Sequence, residues 1–144
     1  MNILGPGIDL FWTLYFLLSF LANLADYLKR LGKNTFRLVP SGNFTILQKI
    51  IDPQNNKQRT TKFTFFTIMG LELVSSMSLF AALPLVAFNA LANIDLYFIV
   101  PLVFVCGLLL GNELFCSYES EGEHIALFIG LLVSVFAIYF FGSI

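Results

Sequence analysis

Residues 63–88 read FTFFTIMGLELVSSMSLFAALPLVAF, an apolar run with one charged side chain, Glu72, near its middle. About 20 apolar residues rising ~1.5 Å each cross a hydrocarbon core of ~30 Å, so this run is long enough to span a bilayer as a helix. It begins directly after Lys62 and carries Pro84 in its last turns. Three further runs of the same kind flank it. The first covers about 8–28, opening after Gly5-Pro6-Gly7 as a breaker and closing into Lys29-Arg30. Another covers about 94–115, with Asn93 or Asp95 as a cap and Pro101 as a kink, and the last covers about 125–144. Composition agrees: 58% hydrophobic and 16% aromatic content leaves too few polar side chains to cover a water-facing globule of 144 residues. Backbone in lipid must satisfy its own hydrogen bonds, and runs this long without alternation exclude barrel strands. The sequence therefore predicts an all-α integral membrane protein, a single membrane domain over 1–144 with about four transmembrane helices.

The net charge of −1 conceals a segregation, because all basic residues, Lys29, Arg30, Lys33, Arg37, Lys49, Lys57, Arg59 and Lys62, fall between positions 29 and 62. Basic residues near span ends stay on the inner side, which places the long surface loop 29–62 there. Within it, Phe44, Ile46, Leu47, Ile50 and Ile51 gather on one side of a short helical pattern after Ser41-Gly42-Asn43, and Asp52-Pro53 stops it. A brief in-plane amphipathic helix is expected, followed by the turn-prone Gln54-Asn55-Asn56. Four spans put the acidic turn Glu119, Glu121, Glu123 on the same side as the basic loop. The sequon Asn43-Phe44-Thr45 falls on the inner side and is discounted. Nothing basic precedes the first apolar run and Asp9 sits at its start, so the first helix is expected to remain in the mature chain.

Glu72 lies about 13 Å into its span by helical rise, near the bilayer midplane. A charged group at that depth costs at least ~2.5 kcal/mol on insertion scales, so it faces a bundle interior or a water path. Ser75 and Ser76 follow one turn on, with Thr64 and Ser78 on neighbouring turns, giving the helix a polar stripe. No Lys or Arg falls within any span. Any cationic partner for Glu72 would have to come from another chain. Two roles fit: a proton-relay carboxylate, or an acid that hydrogen-bonds a neighbouring helix to fix the bundle.

The run Ile68-Met69-Gly70-Leu71-Glu72-Leu73 resembles the second helix of the smallest, three-helix membrane-arm core subunit of respiratory complex I. That resemblance covers about a dozen residues, and it implies an intramembrane acid at Glu72 in the proton path of an NADH:quinone oxidoreductase. It also implies partners among the other membrane subunits of a large complex, in the mitochondrial inner membrane or the bacterial plasma membrane. The chain departs from that family in its longer first loop and its fourth helix, and the family's second acid has no clean equivalent. Glu113, near the inner end of the third span, is the nearest candidate, and Glu123 is the other. The stretch 47–85 is similar in outline to the quinone-site membrane subunit of the same complex but lacks its motifs. A non-catalytic accessory subunit is the alternative, and an independent carrier ranks last, since four helices with one buried acid offer little to enclose a solute.

Other features point to packing. Gly107 and Gly111 form G-x-x-x-G and Gly130 and Ser134 repeat the spacing, which either lets a second helix approach closely or places ordinary small residues on a lipid-facing helix. Trp12, Tyr15, Tyr97 and Tyr139 read as interfacial anchors. Cys106 and Cys116 have no metal or disulfide spacing, and the lone His124 reads as a solvated interfacial residue. No Gly-rich phosphate loop, nucleophile elbow or catalytic triad is present, so no self-contained active site, cofactor or metal is expected. Lipids and other membrane subunits are the expected contacts, and nucleic acid is not.

Overall fold

A computed structural model describes residues 4–32, 42–51, 58–88, 94–115 and 121–142. Five helices account for nearly all of them: α1 (Leu4–Arg30), α2 (Asn43–Ile51), α3 (Gln58–Ala87), α4 (Ile94–Phe115) and α5 (Glu121–Gly142). The chain is an α-helical membrane protein. By length and composition Gly5–Arg30, Arg59–Ala87 and Gly122–Phe140 can cross a bilayer, and α4 adds the shorter apolar stretch Tyr97–Gly111. Helices α1, α3, α4 and α5 pack as a ring in which each touches the next and α5 closes back on α1. Contacts of Thr13 with Ser76, Ser19 with Glu72 and Tyr27 with Phe66 show that α1 and α3 run antiparallel.

Three expected boundaries move, one of them the start of the last span, which lies at Glu121 instead of about 125, so that Glu121 and Glu123 belong to the first turn of α5. Gly5-Pro6-Gly7 does not break α1 but forms its first turn, where proline gives up no intrahelical hydrogen bond and its fixed φ suits the helix. At the other end of the loop, residues 58–62 are not surface coil but the first turn of α3. Lys62 can lie along the helix and keep its ammonium in the interface, so this basic turn need not unwind. The third span, α4, has the expected limits. The Asn93 and Asp95 caps, Asp52-Pro53 and Gln54-Asn55-Asn56 lie outside the residues or side chains described.

The in-plane helix α2 forms where expected, entered through Gly42 at φ 75°, a left-handed value that a side chain would resist. Its apolar residues share one broad side, as expected, and only part of that side meets the bundle. Phe44 is buried and Leu47 packs on the Phe44–Phe65–Met69 cluster, whereas Ile46 is 54% exposed. At 100° per residue, positions 44, 47 and 51 fall within about 60° of one another and 46 and 50 lie about 110° further round, so all five share an arc of about 160°. The inner edge of that side holds α2 to the bundle, and Ile46 at its outer edge is exposed.

The main core lies between the four long helices: Trp12 and Phe16 of α1, Leu79, Ala82 and Val86 of α3, Phe98, Phe104 and Val105 of α4, Leu131 and Ile138 of α5. Trp12 belongs to this core and is not the expected interfacial anchor. Its indole N–H donates to Ser134 Oγ at 2.8 Å, and Ser134 in turn donates to the Gly130 carbonyl at 2.7 Å. A Cβ at Gly130 would come within 3.2 Å of the Trp12 ring, so the small pair Gly130 and Ser134 is the seat of that indole. A Cβ at Gly107 or Gly111 would meet no atom within 4 Å, so their spacing serves no close helix approach among the described residues.

Pro101, inside α4, has no N–H for the carbonyl four residues before it, that of Tyr97. Ser78 Oγ of α3 donates to this carbonyl at 2.8 Å. A serine on one helix thus completes the backbone of the next, in surroundings where an unsatisfied carbonyl is costly. We expect Ser78→Ala to lower the stability of the purified chain by ~1–2 kcal/mol in unfolding by denaturing detergent. In a Pro101→Ala background, where the Tyr97 carbonyl regains its helical donor, the same substitution should cost nearly nothing. An equal cost in both backgrounds would show that the bond is incidental.

Candidate functional site: a polar seam between the first and third helices

Every buried polar or charged side chain among the described residues sits on α1 or α3: Asp9, Thr13, Asn23 and Asp26 on one, Thr61, Glu72, Ser75 and Ser76 on the other. The spacing explains the placement. Residues 9, 13, 16, 23 and 26 recur at helical intervals and make one face of α1, while 61, 65, 69, 72, 76 and 79 make the facing stripe of α3. The seam is polar at its ends and centre, with Phe16, Phe65 and Met69 between.

Glu72 is at its centre, 5% exposed and midway along α3. Three hydrogen bonds from α1 end on its carboxyl group. Ser19 Oγ donates to Oε1 at 2.6 Å, and Asn23 Nδ2 donates to Oε1 at 2.9 Å and Oε2 at 2.8 Å. Asn43 Nδ2 of α2 donates to Asn23 Oδ1 at 2.9 Å, which orients the Asn23 amide with its nitrogen toward Glu72. Bonds to a charged group contribute ~1.5–3 kcal/mol each, so two offset the ~2.5–3.5 kcal/mol insertion cost of a charge at mid-helix. The partners of the acid are uncharged and come from this same chain.

One and a half turns toward the basic end, Asp26 Oδ2 accepts from the backbone N–H of Phe44 at 3.1 Å, capping the first turn of α2. Toward the other end, Ser76 Oγ donates to the Thr13 carbonyl at 3.0 Å. Beyond it Asp9 is wholly buried, with no partner for either oxygen, and the hydroxyls of Thr13 and Ser75 are unpartnered as well. The expected stripe of α3 therefore divides: Glu72, Ser75 and Ser76 are buried in the seam, Ser78 serves α4, and Thr64 is half-buried.

The structure brings Glu72 into this seam but assembles no pair of glutamates. The side chain of Glu113 lies outside those described, as do Glu119 and the side chain of Glu121, and Glu123 is exposed in the first turn of α5. The acids that do share the seam, Asp9 and Asp26, went unremarked as site residues in the sequence. Their signal was the interval Asp9, Thr13, Asn23, Asp26 along one helical face. Among the described residues no cluster of His, Cys, Asp and Glu could hold a metal ion. Cys106 is a free, half-buried thiol, and Cys116 lies outside the described residues.

Fold and site together define a small polytopic helical membrane protein with a hydrogen-bonded carboxylate in its interior. Comparison of the chain with protein-family models, curated proteins and solved structures finds no match.

Asn23 and Glu72 should behave as a unit in a double-mutant cycle of Asn23→Ala and Glu72→Gln. The expected coupling is ~0.5–3 kcal/mol in detergent unfolding. Additive losses would show that the two side chains act independently.

Proposed function

We propose that the chain is a membrane subunit of a proton-translocating assembly, in which protons pass along the α1–α3 seam by way of Asp26, Glu72 and Asp9. The observation that carries this reading is the confinement of the buried polar side chains to one helix pair, in a file from the basic end of the bundle to the opposite end. Intramembrane acids are rare because they are costly, and in a file they mark proton relays. By helical rise the file spans ~25 Å from Asp26 to Asp9, most of the hydrocarbon thickness. Thr13 and Ser76 stand between Glu72 and Asp9, Ser76 one turn from Glu72 and Thr13 one turn from Asp9.

The chemistry asked of each group is modest. Glu72 is held by three hydrogen bonds from two side chains while ionised, and on taking a proton it must give up or reverse one of them. The Ser19 hydroxyl can do so by rotation, since a hydroxyl both donates and accepts. Asp9 makes no hydrogen bond, so it can accept a proton without breaking one.

Within this class, the likeness of residues 68–73 to the smallest core subunit of complex I supports a place in the membrane arm of an NADH:quinone oxidoreductase, in a mitochondrial inner or bacterial plasma membrane. The partners would be the neighbouring membrane subunits. A second reading rests on the saturation of the Glu72 carboxyl group: the acid fastens α1 and α2 to α3 and has no traffic in protons, as in an accessory subunit.

Membrane vesicles carrying the intact assembly separate the two. Under the relay reading, Glu72→Gln and Asp9→Asn each lower substrate-driven proton uptake by about a hundredfold, the lower end of what positioned proton-transfer groups contribute, with the assembly unchanged on native gels. Normal uptake in the assembled Glu72→Gln variant would overturn the relay. Normal uptake there, with assembly lost in Glu72→Leu, would establish the fastening role.

A further inference from the structure

At the basic end of the bundle, the last turn of α1, the in-plane helix α2 and the first turns of α3 line a partly open cavity of about 200 Å³. It is several times the ~30 Å³ share of a water molecule in the liquid, room enough for a phosphate group. Arg30 and Lys62 bring positive charge to it, Tyr27 a phenol, Leu31 and Phe44 apolar walls, and Thr61 a hydroxyl. The Arg30 guanidinium is held in place, with Nη2 donating to Thr45 Oγ1 and the group stacked 4.3 Å from the centroid of the Phe44 ring. Neither cation forms an ion pair among the described residues. Asp26, one turn before Arg30, is engaged with the Phe44 N–H.

Thr61 is the second, independent observation. It is wholly buried, it lines the cavity, and its hydroxyl has no hydrogen-bond partner. A helical threonine has two accessible χ1 rotamers, so this hydroxyl can turn to a ligand in the cavity. It belongs to the first turn of α3, where unpaired backbone N–H groups favour an anion.

We propose that this cavity binds the phosphodiester headgroup of an anionic phospholipid. Arg30 and Lys62 neutralise the phosphate, Thr61 donates to it, and the acyl chains leave along α3. A lipid fits better than free phosphate because the surroundings are apolar and face outward: Phe63 is 74% exposed and Phe66 45% exposed beside Lys62, and Ile46 of α2 and Leu31 are exposed too. A basic pocket between helix ends at headgroup depth, with an apolar surface leading from it, matches such lipids in charge and in shape.

The test is native mass spectrometry of the full chain, released from micelles containing equal phosphatidylglycerol and phosphatidylcholine, with helical content checked by circular dichroism. The wild type should retain phosphatidylglycerol, and an Arg30→Gln/Lys62→Gln variant should lose about thirtyfold in that retention. Thr61→Val, which keeps shape and charge, should lose several-fold. A Lys29→Gln/Lys49→Gln variant removes the same charge from exposed positions outside the cavity and should retain the lipid. Equal loss in both double variants would reduce the effect to surface charge and overturn the site, as would equal retention of the two lipids by the wild type. Displacement of phosphatidylglycerol by millimolar inorganic phosphate would assign the cavity to free phosphate and overturn the lipid.

Discussion

A carboxyl group in the middle of a membrane-crossing helix has to find donors, and lipid supplies none. Glu72 finds them on α1, in Ser19 and in both oxygen contacts of Asn23. That requirement sets the rotation of α3 about its own axis, since a rotation away from α1 would cost the acid these donors. It also sets the register of α1 against α3, because Ser19 and Asn23, one turn apart, must both reach the same group. With the register fixed, Thr13 meets Ser76 and Tyr27 meets Phe66. Asn43 extends the arrangement to α2, so an in-plane helix is tied to the centre of the bundle through one asparagine.

The other helices are held differently. Packing of α4 and α5 is chiefly apolar, with hydrogen bonds where the backbone or an indole needs one: Ser78 for the carbonyl freed by Pro101, Ser134 for Trp12. Polar groups on α1 and α3 therefore share a seam of their own, walled by Trp12, Phe16 and Leu79 on one side of Glu72 and by Phe44, Phe65 and Met69 on the other. Such walls exclude water from the carboxylate except along the seam. A group of this kind is suited both to a relay and to a fastening, because each depends on the low dielectric that strengthens its hydrogen bonds.

Thr61 connects the seam to the basic end. It is the last buried polar side chain of α3 in that direction and also lines the cavity between α1, α2 and α3. A lipid headgroup seated there would close the file of polar residues at one mouth. The short α2 turns Phe44 inward against this region and leaves Ile46 exposed.

The amino-acid sequence determined the architecture on its own. Length and hydropathy of the apolar runs decided that the chain is helical and lies in a membrane, since backbone in lipid has few ways to satisfy itself. The serines at one-turn spacing after Glu72 marked the buried face of α3, and the pattern after Gly42 located α2. Only the tertiary structure decided what that face meets. The donors to Glu72 are fifty positions away on another helix, and hydropathy does not register a rotation or a register between helices. For the same reason Asp9 passed for a residue at a span end, Asp26 went unremarked, Trp12 passed for a surface anchor, and Ser78 for part of the stripe. Each takes its role from a neighbour distant in sequence, and the carboxylate that stood out as a lone acid in an apolar run proves to be held by the chain's own first helix.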